Sequence, residues 1–261
     1  MTRPLVPGVG EIPSADIAVP QHDCELAFYA RVLTTGDAPF WRDDLMNAHG
    51  TPVIGLGERV PEYESLPLQW MTHIQVADVA ASVARGLAMG ATELWHGRDD
   101  AGRSQGAVLV DPGGAAFGMI PVVSAEDAAA HAEDGRSAAR PAGRIASFEL
   151  VVADAGAARD FYRDVIGWSV REVPGADGGV DYELTGERGV AVATIRQARG
   201  VEREVEAVWL MHLPVGDLAA SLAQVEAGGG EIVRSVADDS GKATRAVIRD
   251  PVGVCFAIEQ G

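Results

Sequence analysis

MHLPVGDLAASLAQVEAGGG fills Met211–Gly230, and THIQVADVAASVARGLAMGA fills Thr72–Ala91. Both put a histidine second, His73 in one copy and His212 in the other, and follow it with an alternating run. Val79, Val83 and Leu87, like Leu218, Leu222 and Val225, then recur at three- and four-residue spacing. Alternation followed by that spacing predicts a strand leading into an amphipathic helix. Each helix stops at MGA or GGG, as helices do.

The duplication reaches outward from these segments. FYARVL begins at Phe28 and FYRDVI at Phe161, an offset of 133. DPGGAAFGMI begins at Asp111 and DPVGVCFAIE at Asp250, an offset of 139 that the twenty-residue segments share. Three landmarks in one order at near-constant spacing define a tandem repeat. Ahead of each FY lies a short alternating run (Ser14–Val19, Ser147–Val152) and an amphipathic segment. Each Asp-Pro-x-Gly reads as a turn opening a last strand. A copy therefore holds two strand–helix–strands units, and the chain four. The expected modules are 1–121 and 143–261, with 122–142 as a linker poor in large apolar residues.

The 261 residues suffice for two cores, and 47% hydrophobic with 23% charged residues is the composition of a globular protein. The apolar stretches fall short of a membrane-spanning helix, and the first residues lack the apolar core of a secretory signal, so a cytoplasmic location is expected. A net charge of −17 repels phosphate backbones, so neither nucleic acid nor a membrane is an expected partner. Cys24 and Cys255 have no zinc-site spacing. Gly8-Val9-Gly10 and Gly55-Leu56-Gly57 lack the third glycine of a dinucleotide loop, and no GxSxG or GxxxxGK[ST] occurs. Internal pseudo-symmetry predicts a monomer or a weak homodimer. His22, His49, His96 and His131 stand in turn-like or polar contexts and are expected to be exposed.

The order of landmarks, with FY closing the first helix and DPxG opening the last strand, resembles the vicinal oxygen chelate superfamily, which includes glyoxalase I, bleomycin-resistance proteins and extradiol dioxygenases. It is most similar to the double-module, hydroxylase-like actinobacterial type, over about residues 10–121 and 143–260. The resemblance implies an α+β fold of two tandem glyoxalase-like modules. Four βαβββ units would build curved mixed sheets that form cups for a small ligand. It also implies four metal-ligand positions per cup. Read by strand parity, these fall on Ser14, Gly55, His73 and Gly118, and on Ser147, Ala191 or Ala193, His212 and Ala257. Only the histidines are ligating types, so no metal and no cofactor are expected.

The same parity points Asp16 and Glu149 into the cups. A histidine and a carboxylate in a small, partly dry cavity can exchange a proton with a carbonyl compound. Against that stands the plainer reading, of acids on a solvated rim and imidazoles packed in a wall. Asp16 pairs with His73 if units pair within a copy; Asp16 pairs with His212, and Glu149 with His73, if they pair across copies. The candidate catalytic set is His73, His212, Asp16 and Glu149. The candidate ligand contacts are Trp70, Trp209, Ser14, Ser147, Trp41, Tyr63 and Gln75. Trp70 and Trp209, three residues before each histidine, are placed on the histidine face. The first expectation is a metal-independent protein that binds a small hydrophobic or aromatic metabolite or antibiotic. The second is a cofactor-free isomerase, cyclase or lyase, and the third a metal-dependent glyoxalase or dioxygenase.

Overall fold

Asp78, Asp154 and Asp217 each accept a hydrogen bond from the amide three residues on, at 2.9–3.0 Å. These side-chain caps satisfy amides that a helix start leaves unpaired, and they set the strand-to-helix turns of three of the four units. The computed structural model describes residues 7–37, 39–41, 54–124, 126, 143, 145–175, 178–199 and 207–261. Most of the expected linker, 125 and 127–142, lies outside them, as do His49 and His131.

The first copy runs β1 (Ala15–Val19), α1 (His22–Leu33), β2 (Ile54–Glu58), β3 (Met71–Val76), α2 (Val79–Ala88), β4 (Thr92–Arg98), β5 (Ser104–Val110) and β6 (Ala116–Pro121). The second runs β7 (Ser147–Val152), α3 (Ala155–Ile166), β8 (Ser169–Pro174), β9 (Val180–Thr185), β10 (Ala191–Gln197), β11 (Trp209–Val215), α4 (Leu218–Ala227), β12 (Glu231–Ala237), β13 (Ala243–Arg249) and β14 (Cys255–Gln260). Three βαβββ units are complete among the described residues, and the first is described as β1–α1–β2. Each copy forms its own mixed sheet, ordered β2-β1-β3-β6-β5-β4 and β12-β13-β14-β11-β7-β10-β9-β8. The units therefore pair within a copy.

Helices pair the other way. The Ser221 hydroxyl on α4 donates to the Val32 carbonyl on α1, and the Thr35 hydroxyl donates to the Asp217 carbonyl. Arg85 on α2 donates to the Val165 carbonyl on α3. Alternate strand residues bury against this helical layer: Ala15, Ile17 and Val19 on β1, Ile74 and Val76 on β3, Leu213 and Val215 on β11. One hydrophobic core runs through both copies.

At its centre the two repeat landmarks meet. Tyr162, from FY of the second copy, donates to Asp111 of the first copy's DPxG at 2.9 Å, and Tyr29 donates to Asp250 at 2.9 Å. The other oxygen of each aspartate closes its own turn, accepting from the amides of Gly113 and Ala115, or of Val252 and Val254. Trp209 donates its indole N–H to the Tyr162 oxygen, and Trp70 does the same to Tyr29. Burial, and then the neighbouring aspartate, raises both phenols well above their ordinary range. Trp168 donates to the Gly10 carbonyl across the same seam, and Trp41 to that of Pro214. Gly10 has φ +81, and a Cβ there would stand 2.5 Å from the Trp168 ring, so no larger residue fits.

Removing the hydroxyl with Tyr162→Phe leaves the Trp209 N–H and an Asp111 oxygen buried without partners. Urea unfolding should then show a loss of about 1–3 kcal/mol. Glu25, on the first turn of α1, is 1% exposed. Its carboxyl is pushed from about 4.5 up to about 7, by burial first and then by Asp250. The unfolded chain gives up this proton near 4.5 while the fold holds it to about 7, so the contribution is complete below about pH 4.5 and lost as pH rises to about 7. Glu25→Gln should flatten that part of the stability–pH curve and raise the urea midpoint at pH 8.

Candidate functional site: the concave face of the first sheet

β1 and β3 are antiparallel neighbours, with Asp16 opposite Met71 and the His73 amide donating to the Ser14 carbonyl. Ser14 and Asp16 consequently flank His73 on the face away from the helices. The Ser14 hydroxyl lies 2.9 Å from His73 Nδ1, and Asp16 Oδ2 lies 3.2 Å from Nε2. With a carboxylate at Nε2, the neutral ring carries its proton there, and Nδ1 accepts from the Ser14 O–H. Ser14 is buried, whereas the His73 side chain is 26% exposed and Asp16 more so. The ring is thus reachable from a cavity of about 550 Å³ that all three residues line.

The rest of that cavity is mostly apolar: Met71, Leu66, Tyr63 and Trp95, with Gln69 and Gln105 as polar points. Trp95 is 44% exposed, and its ring lies over β4 and β5. A Cβ on Gly97 would come within 2.4 Å of that ring, and one on Gly106 within 3.2 Å. Two glycines therefore make the seat on which the indole rests. Arg59 also lines the cavity, and its guanidinium donates to the carbonyls of Ala18, Glu64 and Leu66. These bonds hold the rim segment that carries Tyr63.

Asp16 and His73 meet as a within-copy pair, and Ser14 and Tyr63 line the same cavity. Trp70 and Trp209 do not face it. An offset of three is odd, so each lies on the helix side of its strand, hydrogen-bonded to Tyr29 or Tyr162. Trp41 is buried at the seam, on the Pro214 carbonyl. Gln75 is fully buried, its side-chain oxygen accepting from the Val123 amide. His96 lies in β4 with its side chain mostly covered, near Ser104 and Glu93, and is not the exposed residue expected.

In the second sheet, Ser147 stands opposite His212, and Glu149 opposite Leu210. Glu149 contacts Arg196 at 3.3 Å and Arg234 at 3.9 Å, while His212 has Glu259 at 3.6 Å. The mid-strand position matching Gly55 is Thr194, because Thr194 pairs with Glu149 as Gly55 pairs with Asp16. That corrects the expected Ala191 or Ala193; Ala193 points into the core. Trp95, Arg59, Gln69 and Gln105 carry no flag in the sequence. A bulge between Glu93 and Trp95 breaks the alternation that would have assigned the tryptophan's face.

The donor set does not fit a divalent ion. Ser14, Gly55, His73 and Gly118 offer one imidazole, whose two nitrogens are already engaged by Ser14 and Asp16. Gly118 leaves no space for any side chain at the fourth implied position, since a Cβ there would stand 2.4 Å from the Thr72 carbonyl oxygen. Among the described residues, no three His, Cys, Asp or Glu side chains converge as a metal-binding group.

The Glyoxalase/Bleomycin resistance protein/Dioxygenase superfamily model matches residues 144–258, and a glyoxalase-like domain model matches residues 15–120. With one module matched in each half, the chain belongs to this superfamily. It is 31% identical over 127 residues to the anthracycline biosynthesis protein DnrV of Streptomyces peucetius, covering 44% of this chain and 46% of that one. The chain thus spans about half the length of that relative. It is 28% identical over 199 residues to the putative glyoxylase CFP32 of Mycobacterium tuberculosis, covering 75% of this chain and 70% of that one. Among solved structures, homoprotocatechuate 2,3-dioxygenase from Brevibacterium fuscum superposes with a TM-score of 0.57 at 15% identity, over 98% of this chain and 72% of that one. The 2,3-dioxygenase LapB from Pseudomonas sp. KL28 gives 0.55 at 14% identity, over 98% and 93%. At these identities the likeness is one of fold.

Asp16→Ala should release the His73 tautomer. Ring ¹⁵N shifts should move from a single Nε2–H form toward a mixture in which Nδ1–H donates to Ser14.

Proposed function

We propose that the first module's cup binds a small, flat, largely apolar aromatic metabolite without a metal ion. The observation that carries this reading is the glycine-seated Trp95 facing the Ser14–His73–Asp16 chain across one cavity of about 550 Å³. That volume suits a small organic ligand, and apolar walls with a few convergent polar groups are the usual composition of such sites. An exposed indole offers a stacking face. The similarity to an anthracycline biosynthesis protein supports a fused-ring aromatic of that chemical kind. His73 and Asp16 then meet the ligand's carbonyl or phenolic edge. No helix among the described residues is long and apolar enough to cross a membrane, and we place the protein in the cytoplasm as a monomer or weak homodimer.

The Ser14–His73–Asp16 chain also favours a second reading, in which the bound compound is isomerised, cyclised or cleaved by proton transfer at His73. Turnover decides between the two. His73→Ala must cost more in rate than in binding for the second to stand.

Titration of hydroxylated anthraquinones, followed by tryptophan fluorescence and calorimetry, should give saturable binding that dialysis against EDTA leaves unchanged. Trp95→Ala should weaken binding about tenfold, the scale of a lost aromatic contact and its buried area. Binding that vanishes on chelation, or that ignores Trp95, overturns the proposal.

A further inference from the structure

The second sheet repeats the layout of the first with charge where the first has an indole. Across the first sheet one row of paired residues reads Trp95, Val108, Gly118, His73. The corresponding row of the second reads Arg234, Val247, Ala257, His212, Ser147. Arginine thus takes the place of the stacking indole. Arg196 adds a second guanidinium: it lies two residues beyond Thr194, as Gly57 lies two beyond Gly55.

Two features of this cup call for a ligand. His212 is 2% exposed, and neither ring nitrogen makes a hydrogen bond, the Glu259 carboxylate standing 3.6 Å from Nδ1. A buried imidazole without a hydrogen bond is costly, and native structures rarely keep one without a use for it. Beside it, Glu149 reaches Arg196 at 3.3 Å and Arg234 at 3.9 Å, and its Oε2 makes no hydrogen bond. Charge-assisted pairs close to about 2.7–2.9 Å when the geometry suits them. Arg234 comes from the edge strand β12, and Glu149 from β7 four strands away in the sheet order. Their contact therefore spans the concave face.

We infer that the second cup is a separate site for a small ligand bearing an oxyanion, a carboxylate or a phosphate. The ligand's anionic group displaces Glu149 from Arg196 and Arg234, whose guanidinium forks suit either oxyanion. A neighbouring hydroxyl or carbonyl of the ligand then partners His212. Glu149 is the internal carboxylate that stands beside both guanidiniums until the ligand's anion takes its place.

The test is independent of the first cup, whose ligand can fail without touching it. The full-length protein is titrated with inorganic phosphate and, separately, with benzoate, at ionic strength held with chloride, while ring resonances of His212 are followed by NMR. His212→Gln assigns those resonances. Saturable movement of His212 with either anion supports the site, and which anion acts identifies the chemical source. Glu149→Gln should tighten binding about tenfold, the scale of one lost competing charged contact. Arg234→Gln, which leaves Glu149 in place, should abolish saturation. His212 resonances that move with neither anion, or that move linearly as with chloride (an adventitious ion only), overturn the inference. So does a Glu149→Gln protein that binds no more tightly than the parent, or an Arg234→Gln protein that binds as well.

Discussion

The fold depends on a reciprocal hydrogen bond: the tyrosine of each copy's first helix donates to the turn aspartate of the other copy. Each aspartate is buried and must be satisfied on both oxygens. One oxygen closes its own Asp-Pro-x-Gly turn, and the other waits for a phenol that only the opposite copy supplies. That requirement places α1 and α3 in the centre and sets the tryptophans behind them. Among the described residues it also leaves the far face of each sheet clear of helices, which is where a cavity can form. Fold and site thus follow from one rule of polar satisfaction in a dry core.

Much of this was legible in the residues, and the failures have physical causes. Alternation along Ser14–Val19 assigned the inward faces of Ser14 and Asp16, and the His73 strand followed from Ile74 and Val76. The within-copy choice between pairings was not legible, because strand order is set by contacts far apart in sequence. Trp70 and Trp209 were put on the wrong face by counting an odd offset as even. Trp95 was invisible to parity, since a bulge inserts a residue just before it. Setting the two copies side by side offers a better signal there. Tryptophan in one row answers arginine in the other, a contrast that a core position does not tolerate.

Two of the positions at which the resemblance implied ligands, 55 and 118, are glycine and offer no donor. At Gly118 the backbone has closed in until no Cβ fits. The His73 imidazole is held between a hydroxyl and a carboxylate, which fixes its orientation.

The seam between the copies has the character of an isologous contact, each partner giving a phenol and receiving one. A lone copy would leave an acid stranded and would have to find a second chain to rescue it, at a strength governed by dilution. Joining the copies in one polypeptide makes that association intramolecular, so it no longer depends on abundance. Once tethered, the halves need not stay identical anywhere except at the seam. A pair of like subunits would have had to change both bowls together, whereas this polypeptide has furnished one with indole and the other with guanidinium.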